Sequence, residues 1–275
     1  KITFGYSGQA EDISISPLYP LADSVKTRVL KERGKDSLNF WFTPLQVDSI
    51  QFLVQHKTLD TRDTFTVKTR KIKADSLLIV PEKRDNAPLN RPYFLEVNTP
   101  LAKLDNNKIF ITDKDTLSVP FKSFIDTLEN KMGLSFKVVP DEKFRIQMFP
   151  GALEDLFKNK NDTISYALST KTLEEYGTLK LKLKSNSSSQ MIVQLTNEKE
   201  IVLRQQIGPA NEEFFFEHLN PGSYKVRVIY DYNKNGLWDT GNYLKKIQAE
   251  LVSYYPEILD IRANWEFEET FSLPN

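Results

Sequence analysis

Apolar and polar residues alternate with a period of two along most of this chain. Leu38, Phe40 and Phe42 fall on one face of a strand, Ile50, Phe52 and Val54 on one face of a second, and Phe144, Ile146 and Met148 on one face of a third. The clearest case is Leu179-Lys180-Leu181-Lys182-Leu183-Lys184, in which every second residue is apolar and the rest are lysine. That is the pattern of a sheet with one wet face and one dry face. Tyr224-Lys225-Val226-Arg227-Val228 repeats it. Such segments recur about every 8–12 residues between turn formers such as Lys-Asp-Ser, Asp-Asn-Asn and Asn-Pro-Gly, the spacing of β-sandwiches. Helical periodicity is scarce. The best candidate spans 152–158, where Leu153, Leu156 and Phe157 fall on one side after Pro150-Gly151.

The pattern therefore predicts an all-β chain of three small β-sandwich domains in series, at 1–91, 92–173 and 174–275. The first break is placed where Asn86, Pro88, Asn90 and Pro92 crowd together, and the second just before the lysine-alternating strand. Ser185-Asn186-Ser187-Ser188-Ser189 reads as a hairpin loop.

Composition narrows the chemistry. The 275 residues contain no cysteine and two histidines, His56 and His218. Disulfides, thiolate catalysis, cysteine zinc sites and iron–sulfur clusters are thereby excluded, as is a histidine-rich metal site. A metal would have to be calcium or magnesium on oxygen ligands. With 37 Lys+Arg against 37 Asp+Glu, no basic surplus is available to release counterions from nucleic acid. The longest apolar runs, such as Leu77-Leu78-Ile79-Val80, are far short of the roughly 20 residues of a membrane-spanning helix. The chain begins at Lys1 with no initiator Met and no signal-peptide core, which reads as a mature or truncated piece of something longer.

The sharpest local motif is Asp231-Tyr232-Asn233-Lys234-Asn235-Gly236-Leu237-Trp238-Asp239-Thr240-Gly241. Acid and amide oxygens at alternate positions followed by Gly resemble the first half of a calcium-binding EF-type loop. The second half departs from it: position twelve is Asn242, so Asp239 would supply the other carboxylate. The candidate calcium ligands are Asp231, Asn233, Asn235 and Asp239. The alternative is an Asn-Gly turn in a hairpin, with the two acids capping backbone amides. No other cofactor is expected.

Trp41, Trp238 and Trp265 are candidate platforms, and Trp238, in the loop, is the candidate interaction residue. Gly5-Tyr6-Ser7-Gly8-Gln9 starts like a nucleophile elbow, but Gln9 replaces the closing Gly. Neither histidine sits in a triad motif, and no phosphate loop, dinucleotide fingerprint or His-Glu-x-x-His occurs. No enzyme is expected.

Several stretches together resemble the C-terminal part of the Bacteroidota Ig-like-domain outer-membrane lipoproteins. They are Ile2-Thr3-Phe4-Gly5-Tyr6-Ser7-Gly8, the middle unit around 104–117 and 144–155, and Leu219-Asn220-Pro221-Gly222-Ser223-Tyr224. With them go the 231–241 loop and Arg262-Ala263-Asn264-Trp265-Glu266. The resemblance implies a surface-layer-type Ig-like middle domain and a prealbumin-like last domain. It also implies an N-terminal lipid-bearing cysteine upstream of Lys1. The function it implies is that of a non-catalytic structural or protein-interaction module at the outer membrane, with an outer-membrane protein or assembly as candidate partner. The alternative is a carbohydrate- or ligand-binding module assisted by calcium. Asp followed by Ser or Thr and then an aliphatic residue recurs through the chain and is similar to the O-glycosylation signal of exported proteins of that phylum. The candidate acceptors are Ser24, Ser37, Ser49, Ser76, Thr116, Thr127 and Thr163. The same triplets also serve as turn-then-strand punctuation.

Overall fold

The computed structural model describes all residues except 7–9, 33–34, 46, 58–60, 70–75, 83–85, 128, 242–245 and 275. Ser7, Gly8 and Gln9 of the elbow-like stretch, Asp60, Asp75, Leu128 and Asn242 therefore lie outside the described residues. The elements are strands and short 3-10 turns, with no α-helix among the described residues. The chain divides into two compact units, Lys1–Thr170 and Lys171–Asn275. The first unit holds two apolar cores and the second holds one, so three small β-sandwich cores follow one another along the sequence.

The first core is built by β1 (Ile2–Gly5), β2 (Ile13–Pro17), β3 (Thr27–Lys31), β4 (Ser37–Phe42), β5 (Ser49–His56) and β6 (Thr61–Lys68). They form two antiparallel sheets, ordered β1-β4-β3 and β2-β5-β6. The alternating rows of β4 and β5 meet between them: Leu38, Phe40, Ile50 and Phe52 are buried, and the Phe40 and Phe52 rings stand edge to face at 4.9 Å.

The second core takes β7 (Ile79–Pro81), β8 (Tyr93–Val97), β9 (Leu101–Leu104), β10 (Ile109–Thr112) and β11 (Phe121–Asp126). It continues with β12 (Lys131–Phe136), β13 (Lys143–Met148), β14 (Leu153–Asp155) and β15 (Ile164–Ser169). The sheets run β11-β12-β8-β7 and β10-β13-β15, with β14 paired to β9. Ile79 and Ala87 are buried in this core, β7 pairs with β8, and the Ala87 amide donates to the Ser169 carbonyl at 3.0 Å. Residues 79–81 and Ala87 thus pack with the second core, ahead of the break expected at 91/92. Gly133, mid-strand in β12, lies under the Phe124 ring, where a methyl group would come within 2.3 Å of it.

The helix expected at 152–158 is instead strand β14 and the turn after it. Asp155, almost fully buried, is the reason: its Oδ1 accepts the amides of Phe157 and Asn159, both at 2.8 Å, and so curls the chain into a tight turn. Its Oδ2 accepts from Thr99 Oγ1 at 2.9 Å. Ala152, Leu153 and Leu156 are buried in this extended-then-turned path.

The second unit comprises β16 (Gly177–Lys184), β17 (Gln190–Thr196), β18 (Val202–Pro209), β19 (Glu213–Leu219), β20 (Gly222–Asp231), β21 (Val252–Tyr254), β22 (Leu259–Ile261) and β23 (Glu266–Ser272). One sheet is β19-β16-β23, in which β16 and β23 run parallel; the other is β18-β17-β20-β21, with β22 pairing β20. Leu179, Leu181 and Leu183 are fully buried in one core with Met191, Val193, Leu195, Val226 and Val228. Lys180, on the opposite face of β16, lies between Glu213 at 3.6 Å and Glu268 at 3.4 Å. The alternation in the sequence maps directly onto the wet and dry faces.

The Tyr255 hydroxyl donates to Glu269 Oε2 at 2.8 Å. That bond, with desolvation and the Glu269 charge, pushes its pKa up to about 12. A phenol raised above its unfolded value adds stability that is whole below about pH 10 and is lost as pH rises through the folded value. Chemical denaturation across pH 9–12 is therefore expected to show falling stability that Tyr255→Phe makes shallower; an unchanged slope in the variant would contradict the assignment.

Candidate functional site

The residues singled out in the sequence converge at the end of β20. Asp231 is fully buried. Its Oδ2 accepts from the Gln190 side-chain amide at 3.0 Å and from the Gly236 amide at 2.9 Å, and its Oδ1 accepts from the Asn235 amide at 3.1 Å. Gln190 is its register partner on β17, so the sheet itself positions the first donor. Burying a carboxylate is tolerable because three donors replace its water shell. The loop then tightens through its own side chains. Asn233 Oδ1 accepts from the Asn235 amide at 3.0 Å and Asn235 Oδ1 from the Leu237 amide at 2.8 Å, while the side-chain amides of Asn233 and Asn235 both donate to Asp239 Oδ2. Gly236 takes φ +75°, the left-handed region that the turn needs.

A further residue completes the arrangement. Glu250 is buried, and its two oxygens accept the Tyr232 amide at 2.9 Å and the Asp239 amide at 3.1 Å. Its backbone amide donates to the Asp239 carbonyl at 3.0 Å, and the Trp238 indole N–H donates to its carbonyl at 3.1 Å. No spacing rule in the sequence points to Glu250, since it stands eleven residues beyond Asp239 with no partner motif. Asp231, Asn233, Asn235 and Asp239 are thus brought around one loop as expected. In the geometry present, the oxygens of Asp231, Asn233 and Asn235 each accept a backbone N–H, the pattern of a carboxylate-centred turn.

The loop also has a place on the sheet. Ile207, Ile192, Ile229 and Val252 form one row across β18, β17, β20 and β21, on the face away from the main core. Ile192 and Ile229 are buried there, and a methyl group on Gly236 would stand 3.1 Å from Ile207 Cδ1. The next row is polar: Gln194 donates to Gln205 and accepts from Arg227. Around these rows Leu203, Ile207, Leu237, Trp238, Leu251 and Tyr254 remain exposed.

Trp238, at 45% exposure, keeps its ring in solvent while its N–H is tied down. Trp265 is more exposed, at 58%, with the Arg262 guanidinium 5.6 Å above it. Trp41 is half-buried beside Phe157 at 6.2 Å. Of the candidate glycosylation acceptors, Ser24, Ser49, Ser76, Thr116, Thr127 and Thr163 are exposed. Ser37 is buried in β4, where its hydroxyl donates to Glu32 at 2.7 Å and holds that carboxyl below its usual range; a sugar there would break this contact. His56 closes β5 in the first unit, and His218 sits in β19 of the second at φ +54°, edge-on to Tyr176.

No protein-family model matches the chain, and no curated protein matches it. Among solved structures, the T6 backbone pilin of serotype M6 Streptococcus pyogenes aligns at 7% identity and a TM-score of 0.21, covering 82% of this chain and 65% of the pilin chain. This chain therefore spans just under two thirds of that protein. Domains A168–A170 of titin align at 13% identity and a TM-score of 0.19, covering 94% of this chain and 90% of theirs.

Asp231→Ala removes the acceptor for two backbone amides and one side-chain amide, an expected loss of about 2–4 kcal/mol. Urea unfolding followed by Trp238 fluorescence, with Trp41 and Trp265 replaced by Phe, measures it; a loss under about 0.5 kcal/mol would show that the carboxylate does not hold the loop. Because the loop is satisfied by its own amides, chelator and millimolar calcium are expected to leave the melting temperature unchanged. A rise of several degrees with calcium would show a cation-held loop instead.

Proposed function

We propose that this chain is a non-catalytic structural and protein-interaction module of an outer-membrane-anchored cell-envelope lipoprotein, with an outer-membrane protein or assembly as its partner. The observation that supports it most is the apolar rim on the second unit. Leu203 and Ile207 on the edge strand β18, together with Leu237 and Trp238 on the loop beside it, stay exposed. An edge strand carrying exposed apolar side chains next to an aromatic anchor is a surface that protein partners read. The small sandwiches supply rigid mounts for such a surface, and the loop's internal hydrogen bonds limit the ordering cost of binding. The envelope address rests on the resemblance carried by the 219–224 turn, the 231–241 loop and the 262–266 segment. Ligand or carbohydrate binding is the second reading, favoured by the exposed rings of Trp238 and Trp265.

Affinity capture from detergent-solubilised envelope membranes tests the choice. The chain is expected to retain an outer-membrane protein, and the pair Leu203→Lys and Leu237→Lys, which places charge on the rim without touching the core, is expected to cut retention at least about tenfold. Equal capture by the variant, or no membrane protein captured together with saturable binding to purified glycans, would overturn it.

A further inference from the structure

Asn235 is followed by Gly236, the one Asn-Gly pair in the sequence. In an open chain this pair is chemically unstable. The backbone nitrogen of the glycine loses its proton and attacks Cγ of the asparagine side chain, the Cγ–Nδ2 bond breaks, and ammonia leaves a five-membered cyclic imide. Water then opens the imide to aspartate or isoaspartate. Glycine makes the attack easy, because it has no side chain to hinder the nitrogen and its backbone turns freely. Asn235 is exposed, so water and base reach it.

The closed loop withholds each group that the reaction needs. The nucleophile must give up its proton, yet the Gly236 N–H donates to Asp231 Oδ2 at 2.9 Å, and a hydrogen bond to a carboxylate stabilises the protonated nitrogen. The electrophile must turn toward that nitrogen, yet the Asn235 side chain is held at both ends. Its Oδ1 accepts from the Leu237 amide at 2.8 Å, and its Nδ2 donates to Asp239 Oδ2 at 2.8 Å. Negative charge grows on Oδ1 during the attack, and the carboxylates of Asp231 and Asp239, both bonded to the reacting pair, oppose it. The imide also lacks the Gly236 N–H, so ring closure takes a donor away from Asp231, a fully buried carboxylate.

We infer that Asn235 is a latent deamidation site, silent while the loop is closed and reactive when the loop opens. The product then keeps the loop open. Aspartate at 235 sets a carboxylate where Nδ2 donated to Asp239, and like charges repel. Isoaspartate adds a methylene to the main chain between the amides of residues 235 and 236, which Asp231 accepts together. A transient opening is thereby made permanent. The inference needs neither the envelope address nor a partner.

Timed incubation of the full chain in mildly alkaline buffer, followed by peptide mapping with mass spectrometry, tests it. A synthetic peptide of residues 229–241 gives the rate of the open loop. Reaction of a transiently opened segment follows its open population, so Asn235 in the native chain is expected to react at least about tenfold more slowly than in the peptide. Glu250→Gln, which alters neither reacting residue, is expected to speed the reaction at least about fivefold; Glu250→Asp serves if circular dichroism shows that Glu250→Gln is unfolded. Val193 is fully buried in the core of the same unit. Val193→Ala lowers global stability without touching the loop and is expected to leave the rate unchanged within about twofold. Asn235→Asp is expected to raise the exchange rate of the Gly236 amide at least about tenfold. Reaction in the native chain as fast as in the peptide, no acceleration by the Glu250 variant, equal acceleration by Val193→Ala, or unchanged Gly236 exchange in Asn235→Asp would each overturn the inference.

Discussion

Two carboxylates taken out of water, Asp231 and Glu250, decide what the second unit presents to its surroundings. Each is tolerated in the interior only because backbone and amide N–H groups converge on it. The convergence works in both directions: donors make the buried charge affordable, and the fixed charge positions the donors. A segment that leaves β20 at Asp231 and returns to pair at Val252 would otherwise be a long open loop. With Asp231 pinned by Gln190 and Glu250 pinned by Tyr232 and Asp239, the 231–239 loop instead sits beside the Ile207, Ile192, Ile229 row, and Trp238 is anchored through its indole N–H.

That arrangement connects the fold to the proposed interaction. A sheet buries one face against its partner sheet and must account for the other. In the second unit the main core takes Leu179, Leu181 and Leu183 with Met191, Val193 and Leu195. The opposite face of the second sheet carries its own buried pair, Ile192 and Ile229, and an exposed apolar rim around it. The first sandwich resolves the same demand less completely, leaving Phe65 of β6 exposed beside a cleft. The two open apolar surfaces differ in kind: one is a rim next to a held loop, the other a cleft with a polar end.

The period-two rows were legible in the sequence because a strand enforces them locally. Leu38 with Phe40, Ile50 with Phe52, and Phe144 with Ile146 all point into cores. The loop's own members were legible too, since Asx turns depend on residues a few positions apart. Glu250 was not, because its partners are near only after the chain has returned to the sheet. The segment 152–158 misled for a related reason: its apolar spacing fits a helix, but Asp155 draws the amides of Phe157 and Asn159 onto its side chain, and Thr99 reaches it from far along the chain. Ser37 shares its triplet with the exposed acceptors, and only its place in β4, where its hydroxyl donates to Glu32, buries it.

The central claim, that two buried carboxylates hold the 231–239 loop rigidly in place, is tested most directly by amide hydrogen exchange on the intact chain. The amides of Tyr232, Asn235, Gly236 and Asp239 are predicted to exchange far more slowly than their neighbour Lys234, and to lose that protection at Tyr232 and Asp239 in Glu250→Gln. Exchange of all four at the rate of an open loop in the wild type would contradict the account.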